Sequence, residues 1–313
     1  MHLVIGAGEF LGDSISRTLA TEGVPLIELA ADADEETLAD AMRGVEAVHV
    51  CAQAWSPARR LRYRKQPPPL LVRIVAAARR SDVRRLVLVS TADVYGPDHK
   101  GRLNEKSELK PVHAFERLKL REETWLRDEA QDLDVITLRP ARVFGAGEDW
   151  LLPRLVADLS RGRLWLPQGG RSMMTFVAVS DVARACVAAA ARGEPGRSYI
   201  VGGFDSTWRD VLEAACHAIG IDCAISGLPY DLAYLRAMGD EILTPVGAPV
   251  WPGIYAVDVL SKPRFYDDSW SRRELTWSPS IGSFEQALPQ MVSWLSSLLH
   301  GPNAASTSPV RSR

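Results

Sequence analysis

Two stretches of this 313-residue chain hold residues whose types and spacing could do chemistry. The first is Gly6-Ala7-Gly8-Glu9-Phe10-Leu11-Gly12, directly after the apolar run Leu3-Val4-Ile5. A bare loop between a strand and a helix lets backbone N–H groups and the helix N-terminus approach a pyrophosphate. The glycines are spaced Gly-x-Gly-x-x-x-Gly, and Glu9 puts a carboxylate where an anion would have to come. Dinucleotide binding and a tight turn that no longer holds phosphate therefore both stay open. The second stretch contains Thr91, Tyr95, His113, Phe115 and Lys119. Positions 115 and 119 are one helical turn apart and share a helix face. His113 stands near the start of that helix, and an imidazole titrates near neutrality. Simpler roles compete with these. His113 could be an exposed helix-entry residue, Tyr95 a packing residue of its turn, and Lys119 a surface lysine among Glu116, Arg117, Arg121, Glu122 and Glu123.

Other clusters narrow the chemistry. Arg59, Arg60, Arg62, Arg64 and Lys65 place five cations in seven residues, either to receive an anion or as a solvated loop. A single aromatic, Tyr63, stands among them and no nucleic-acid-binding fold pattern accompanies them, so nucleic acid is not an expected partner. The four cysteines, Cys51, Cys186, Cys216 and Cys223, have no CxxC spacing, which argues against a zinc site or a redox dithiol. They read as reduced thiols of a cytoplasmic protein.

These candidates need elements to position them. Strand patterns at 3–5, 25–29, 47–51, 85–90 and 135–138 alternate with helical patterns at 10–22, 32–43, 70–80 and 113–130. That alternation predicts an α/β fold with a doubly wound parallel sheet, whose ligands sit beyond the carboxyl ends of the strands. The second half is mixed. Helices are expected at 151–161, 181–192, 207–219 and 283–299, a strand at 198–201, and irregular chain over 229–262, where Pro245, Pro249 and Pro252 fall. Residues 301–313, rich in Ser, Pro and Arg, read as a disordered tail. Seven of the nine tryptophans lie from Trp150 onward, as core or as the lining of an apolar pocket.

Composition is that of an ordinary globular protein, 46% hydrophobic and 24% charged. With 37 Lys plus Arg against 39 Asp plus Glu, the net charge of −2 gives no whole-chain attraction to nucleic acid or anionic membrane. No run of about 18 apolar residues is present, and the N-terminus has no secretory pattern. A cytoplasmic location with a small-molecule partner is the expectation.

Six segments in order resemble the extended short-chain dehydrogenase/reductases of the NAD-dependent epimerase/dehydratase type. They are the glycine loop; Ala47-Val-His-Val-Cys-Ala52; Val87-Leu-Val-Ser-Thr-Ala-Asp-Val-Tyr-Gly96; Leu138-Arg-Pro-Ala-Arg-Val-Phe-Gly145; Phe176-Val-Ala-Val-Ser-Asp-Val182; and Ser271-Arg-Arg-Glu-Leu-Thr-Trp-Ser-Pro279. The resemblance runs from residue 1 to about 297. It implies a Rossmann-type domain over 1–148, which also receives parts of 174–205 and 256–268, and a smaller C-terminal substrate domain over 149–299. It also implies NAD or NADP held by Gly6, Gly8, Phe10, Leu11, Gly12, Asp32, Ala52, Lys119 and Pro140, and a homodimer.

The departures matter as much as the matches. The family uses Ser/Thr with Tyr-x-x-x-Lys. Thr91 and Lys119 occupy two of those positions, but the proton-carrying Tyr is Phe115. Phenylalanine exchanges no proton, and losing such a group removes about 100- to 10,000-fold in rate. His113 and Tyr95 are the nearby substitutes. The middle glycine of the family's loop is Glu9, and the segment between Gly12 and Gly44 is short of a strand and a helix. Asp32 is the remaining ribose candidate, or a helix cap. The cation that grips nucleotide-sugar diphosphates is Met174, which with Met173, Trp165, Phe115 and Arg142 suggests an apolar pocket wall. Three functions follow: an NAD(P)-dependent oxidoreductase or epimerase with a displaced acid/base, a cofactor-independent isomerase, cyclase or lyase, and a non-catalytic binding or regulatory protein.

Overall fold

The computed structural model describes residues 1–52, 68–97, 101–244 and 251–300. The first half runs β1 (His2–Ile5), α1 (Phe10–Thr21), β2 (Leu26–Leu29), α2 (Glu35–Ala41), β3 (Ala47–Val50), α3 (Pro69–Arg79), β4 (Arg85–Val89), α4 (Ala114–Glu129) and β5 (Asp134–Pro140). The second half runs β6 (Arg142–Phe144), α5 (Leu152–Ser160), β7 (Leu164–Pro167), β8 (Met173–Ala178), α6 (Val179–Arg192), β9 (Ser198–Val201), β10 (Phe204–Thr207) and α7 (Trp208–Ile219). It finishes with β11 (Ile225–Leu228), α8 (Tyr230–Leu243), α9 (Ile254–Ser261), α10 (Ser269–Glu274) and α11 (Phe284–His300).

Six strands form one all-parallel sheet in the order β2-β1-β3-β4-β5-β9. Leu86 to Val89 of β4 are all buried, as expected of a strand covered on both faces by helices. On α1, Leu11, Ile15 and Leu19 recur every four residues and pack in the same core as the alanines of α6. The chain leaves β1 toward β2 and returns to its other side as β3. The crevice where strand order reverses therefore opens above β1 and β3, beside the glycine loop. Only one strand and one seven-residue helix lie between α1 and β3, in line with the shortness of that segment.

A second core gathers α5, α7 and α11 around Phe144, Phe176 and Trp208. Two small sheets accompany it, β10-β8-β6 and β11-β7. The stretch expected to be irregular contains two helices, α8 and α9. Pro229 is the N-cap residue of the first of them, and positions 245, 249 and 252 lie outside the bounds of both. Asp34, not Asp32, caps α2, accepting from Thr37 N at 2.8 Å. The five cations at 59–65 and the tail at 301–313 lie outside the described residues. No helix among the described residues is long and apolar enough to cross a membrane.

One buried pair inside the sheet ties the fold to pH. His49 of β3 is fully buried, its Nε2 2.9 Å from Nδ1 of His2, and its own Nδ1 has no hydrogen-bond partner. Burial, reinforced by His2, pushes the His49 imidazole down to about 3. The folded chain thus keeps His49 neutral while the unfolded chain protonates it below its ordinary value of about 6.5. Its contribution is full above that value and is lost as pH falls toward 3, about 2 kcal/mol by pH 5. Urea unfolding at pH 7 and pH 5 should show that loss, and His49→Val should remove most of it. An equal loss in the variant would assign the acid sensitivity elsewhere.

Candidate active site

The cofactor end of the cleft begins at the glycine loop. Gly6 and Gly8 have φ of +103° and +85°, which side-chain-bearing residues rarely adopt. A Cβ at Gly12 would lie 2.0 Å from the Gly6 carbonyl oxygen, and one at Gly6 would lie 2.7 Å from Ala52 N. The chain's own close approach therefore demands both glycines. At Gly8 a Cβ would meet nothing, so this side of the loop is open. The loop's N–H groups are partly spoken for. Gly6 N and Ala7 N donate to Leu29 O, and Gly8 N donates to Asp13 Oδ1 at 2.7 Å. An internal carboxylate in the first turn of α1 thus sits on a donor that a pyrophosphate would use. Phe10 and Leu11 open the same helix, Pro140 ends β5, and Asp32 is exposed in the turn after β2.

Lys119 is buried on α4, its Nζ 2.8 Å from Oε2 of Glu122, which is buried as well. It is therefore not a surface lysine. Burial pushes the Cys51 thiol up to about 12, Glu9 and Asp13 push the same way, and Lys119 opposes them. These four side chains accordingly share the end of the cleft above β1 and β3.

The substrate end is organised by a residue in the short 3-10 turn Ala92–Tyr95. Thr91 heads this turn, and its Oγ1 accepts from Asp93 N at 3.2 Å. The Asp93 carboxylate takes Arg142 Nη2 at 2.8 Å and the Tyr255 hydroxyl at 2.6 Å on Oδ2, and Arg264 Nη1 at 2.8 Å on Oδ1. Burial alone would raise the Asp93 carboxyl. The Arg264 and Arg142 guanidiniums and the Tyr255 hydroxyl outweigh it and hold the group at about 2. Arg264 Nη2 also donates to Oε1 of buried Glu116 at 3.0 Å, which ties α4 to the same cluster.

Aromatic rings line this end. Phe115 of α4 lies 5.7 Å, centroid to centroid, from Tyr255 of α9. Tyr255 stacks on Trp150 at 5.2 Å and 20°, and the Arg142 guanidinium lies 5.0 Å from the Trp150 ring centre. His113 is also beside Tyr255, at 5.2 Å, but its Nε2 is 2.9 Å from Asp258 Oδ2 and the side chain is nearly buried. It is a linker between α4 and α9, not an exposed helix-entry residue.

The structure thus brings together Thr91, Phe115, Arg142 and His113, with Lys119 one turn along α4. It does not bring Tyr95, Met174 or Trp165. Tyr95 is 0% exposed within the sheet core, and its hydroxyl accepts from Arg139 Nη1 at 2.9 Å. A proton carrier must reach substrate, and Tyr95 has no surface with which to do so. Met174 packs in the second core, and Trp165 is 55% exposed on β7, so neither is a wall beside Phe115. Tyr255, Trp150 and Arg264 come from segments with no motif to mark them. Asp93 carried a signal, a lone carboxylate in the apolar run Ala92-Asp93-Val94, which burial made meaningful.

Removing one partner of a buried, hydrogen-bonded charge cluster typically costs about 3–5 kcal/mol, because the remaining charges stay buried without their counter-ion. Asp93→Ala leaves Arg142 and Arg264 in that position. Its urea unfolding free energy should fall by about 3–5 kcal/mol. A fall below about 1 kcal/mol would show the cluster to be hydrated and loosely held.

Residues 2–202 match the family model of the NAD dependent epimerase/dehydratase family. Among curated relatives, the 2-alkyl-3-oxoalkanoate reductase of Stenotrophomonas maltophilia is 24% identical over 334 residues, covering 92% of this chain and 97% of that protein. The 4-hydroxy-2-methyl-3-oxo-4-farnesyl-3,4-dihydroquinoline-1-oxide ketoreductase of Stigmatella aurantiaca is 25% identical, covering 79% and 76%. An uncharacterized protein of Sinorhizobium fredii is 25% identical over 68% of this chain, and the match spans about half (53%) of that protein's length. Among solved structures, the UDP-glucose-4-epimerase of Stenotrophomonas maltophila with bound NAD superposes with a TM-score of 0.74 at 19% identity, covering 96% of this chain and 98% of that one. The dTDP-glucose 4,6-dehydratase of Streptomyces venezuelae with NAD gives 0.73 at 22% identity, covering 94% and 96%. At these identities the structures establish the shared fold. The family model, over well more than half the chain, establishes that this protein belongs to the NAD-dependent epimerase/dehydratase family of extended short-chain dehydrogenase/reductases.

Proposed function

We propose that this protein is an NAD(P)-dependent oxidoreductase acting on the carbonyl or carbinol of a small, apolar molecule that is not a nucleotide sugar. The observation that carries the proposal is the row of rings Phe115, Tyr255 and Trp150, joined through the Tyr255–Asp93 hydrogen bond to the turn that follows β4. Rings in that arrangement favour an apolar body, and the buried Met174 supplies no charge for a diphosphate. Two of the relatives named above are reductases whose named substrates carry alkyl or farnesyl chains.

The glycine loop fits a dinucleotide in shape. Gly6, Gly8, Phe10, Leu11 and Gly12 would face the pyrophosphate, Ala52 and Pro140 would flank it, Asp32 would meet the adenosine ribose and Lys119 the nicotinamide ribose. When bound, the nicotinamide supplies or accepts the hydride. Thr91 would hold the substrate oxygen, and the aromatic wall would keep water from the reacting carbon. For the pyrophosphate to use Gly8 N–H, Asp13 must release it. That internal contact, with Phe115 in place of a phenol, is what favours the second reading, a cofactor-free isomerase, cyclase or lyase on the same fold.

Titration with NADPH and NADH, read by tryptophan quenching, separates the two. Saturable binding is expected, and Asp13→Ala should tighten it about tenfold, the effect of about 1.4 kcal/mol of relieved competition. The bound protein should oxidise NADPH with a 2-alkyl-3-oxoalkanoate and not with a UDP-4-ketosugar. Absence of binding up to millimolar concentrations of both cofactors, in the wild type and in Asp13→Ala, would leave the cofactor-free reading.

A further inference from the structure

The family position for a proton carrier is Phe115, yet a phenol stands beside it from another part of the chain. We infer that Tyr255, at the start of α9, supplies the proton that Phe115 cannot, and that the site is built to reduce carbonyls. This inference rests on the reductase reading above.

Three observations place Tyr255. Its ring lies 5.7 Å from that of Phe115, so the two side chains share one side of the cleft. Its hydroxyl donates to Asp93 Oδ2, and the backbone N–H of the same residue donates to Thr91 Oγ1. The phenol and the threonine hydroxyl are thus both tied to Asp93, one through its carboxylate and the other through its backbone N–H. Finally, the ring is held by Trp150, stacked on it at 5.2 Å. The remaining candidates are engaged elsewhere. Tyr95 is sealed in the core against Arg139, and His113 is turned to Asp258.

The proton inventory is simple. The carbonyl carbon gains two electrons and a hydrogen from reduced nicotinamide, and the carbonyl oxygen gains the Tyr255 proton to become a hydroxyl. The resulting phenolate recovers a proton from water. The hydroxyl needs only to rotate its hydrogen from Asp93 to the substrate oxygen. Burial, and then the Asp93 carboxylate, push the Tyr255 phenol well up, while Arg142 and Arg264 pull against them. Tyr255 is therefore protonated throughout the neutral range. The proton needed for reduction is therefore in place, whereas the phenolate needed as a base for oxidation is scarce. Lys119, which would lower the pKa of a phenol at 115, is paired with Glu122 on the next turn of α4.

The test uses Tyr255→Phe, which keeps the ring and its stacking, and the double variant Phe115→Tyr/Tyr255→Phe. Reduction of a 2-alkyl-3-oxoalkanoate by NADPH is followed by absorbance, and NADPH affinity by tryptophan quenching. Tyr255→Phe should lower kcat at least 50-fold, with KM and NADPH affinity within about threefold of wild type. The double variant should recover at least tenfold of the lost kcat. That recovery would not accompany a merely structural role. It should also add a rise in alcohol oxidation toward alkaline pH that the wild type lacks. Tyr255→Phe retaining more than a third of wild-type kcat would overturn the assignment while leaving the reductase reading intact. A double variant no faster than Tyr255→Phe would overturn it as well. A wild type that binds NADPH and the ketone but reduces nothing would overturn the reductase reading and this inference with it.

Discussion

The buried carboxylate of Asp93 is the constraint on which the rest of the site depends. It is a full negative charge carried into a place with little water, and it is tolerable only because two guanidiniums and a phenol converge on it. Its partners come from different parts of the chain: β6, the first turn of α9, and the segment after α9. Satisfying Asp93 therefore brings the C-terminal chain against the carboxyl ends of the sheet. Glu116 extends the arrangement to α4 through Arg264, and His113 extends it again through Asp258. The cleft's geometry follows from an electrostatic requirement, with hydrophobic packing filling in around it.

The same logic runs through the cofactor end in a weaker form. Glu9 and Asp13 bring negative charge to a loop whose shape suits an anion. Asp13 settles onto Gly8 N–H, and Lys119 is held by Glu122 within the same neighbourhood. The glycines are required by the approach of Ala52 and by the turn itself, so their presence alone does not measure affinity for phosphate. An anion at this loop would compete with a carboxylate of the protein, whereas around Asp93 the charges are already matched among themselves. The two halves of the cleft are thus poised differently: one is preorganised, and the other must yield a contact before a ligand is fully held.

Most of the sheet was legible because strand and helix periodicities are local. The apolar run of β4 and the four-residue repeat of Leu11, Ile15 and Leu19 declare burial without reference to distant residues. The helices within 229–262 were not legible, because prolines at 245, 249 and 252 made the whole stretch read as broken, although these positions lie outside the bounds of both helices. Trp165 and Met174 illustrate the opposite limit. Composition marks them as pocket material, but which way a strand faces is settled by its sheet partners. β7 leaves Trp165 in solvent, and β8 turns Met174 into the core.

By itself the sequence determined the α/β class, the family, and the phenylalanine at position 115, since each depends on residue identity along a continuous stretch. Only the tertiary structure decided which phenol stands beside Phe115. Tyr95, near in sequence, is turned into the core by its hydrogen bond to Arg139, and Tyr255, far in sequence, is drawn to Phe115 by Asp93. The reason is physical. A buried charge recruits partners by distance in space, and spacing along the chain carries no record of that distance.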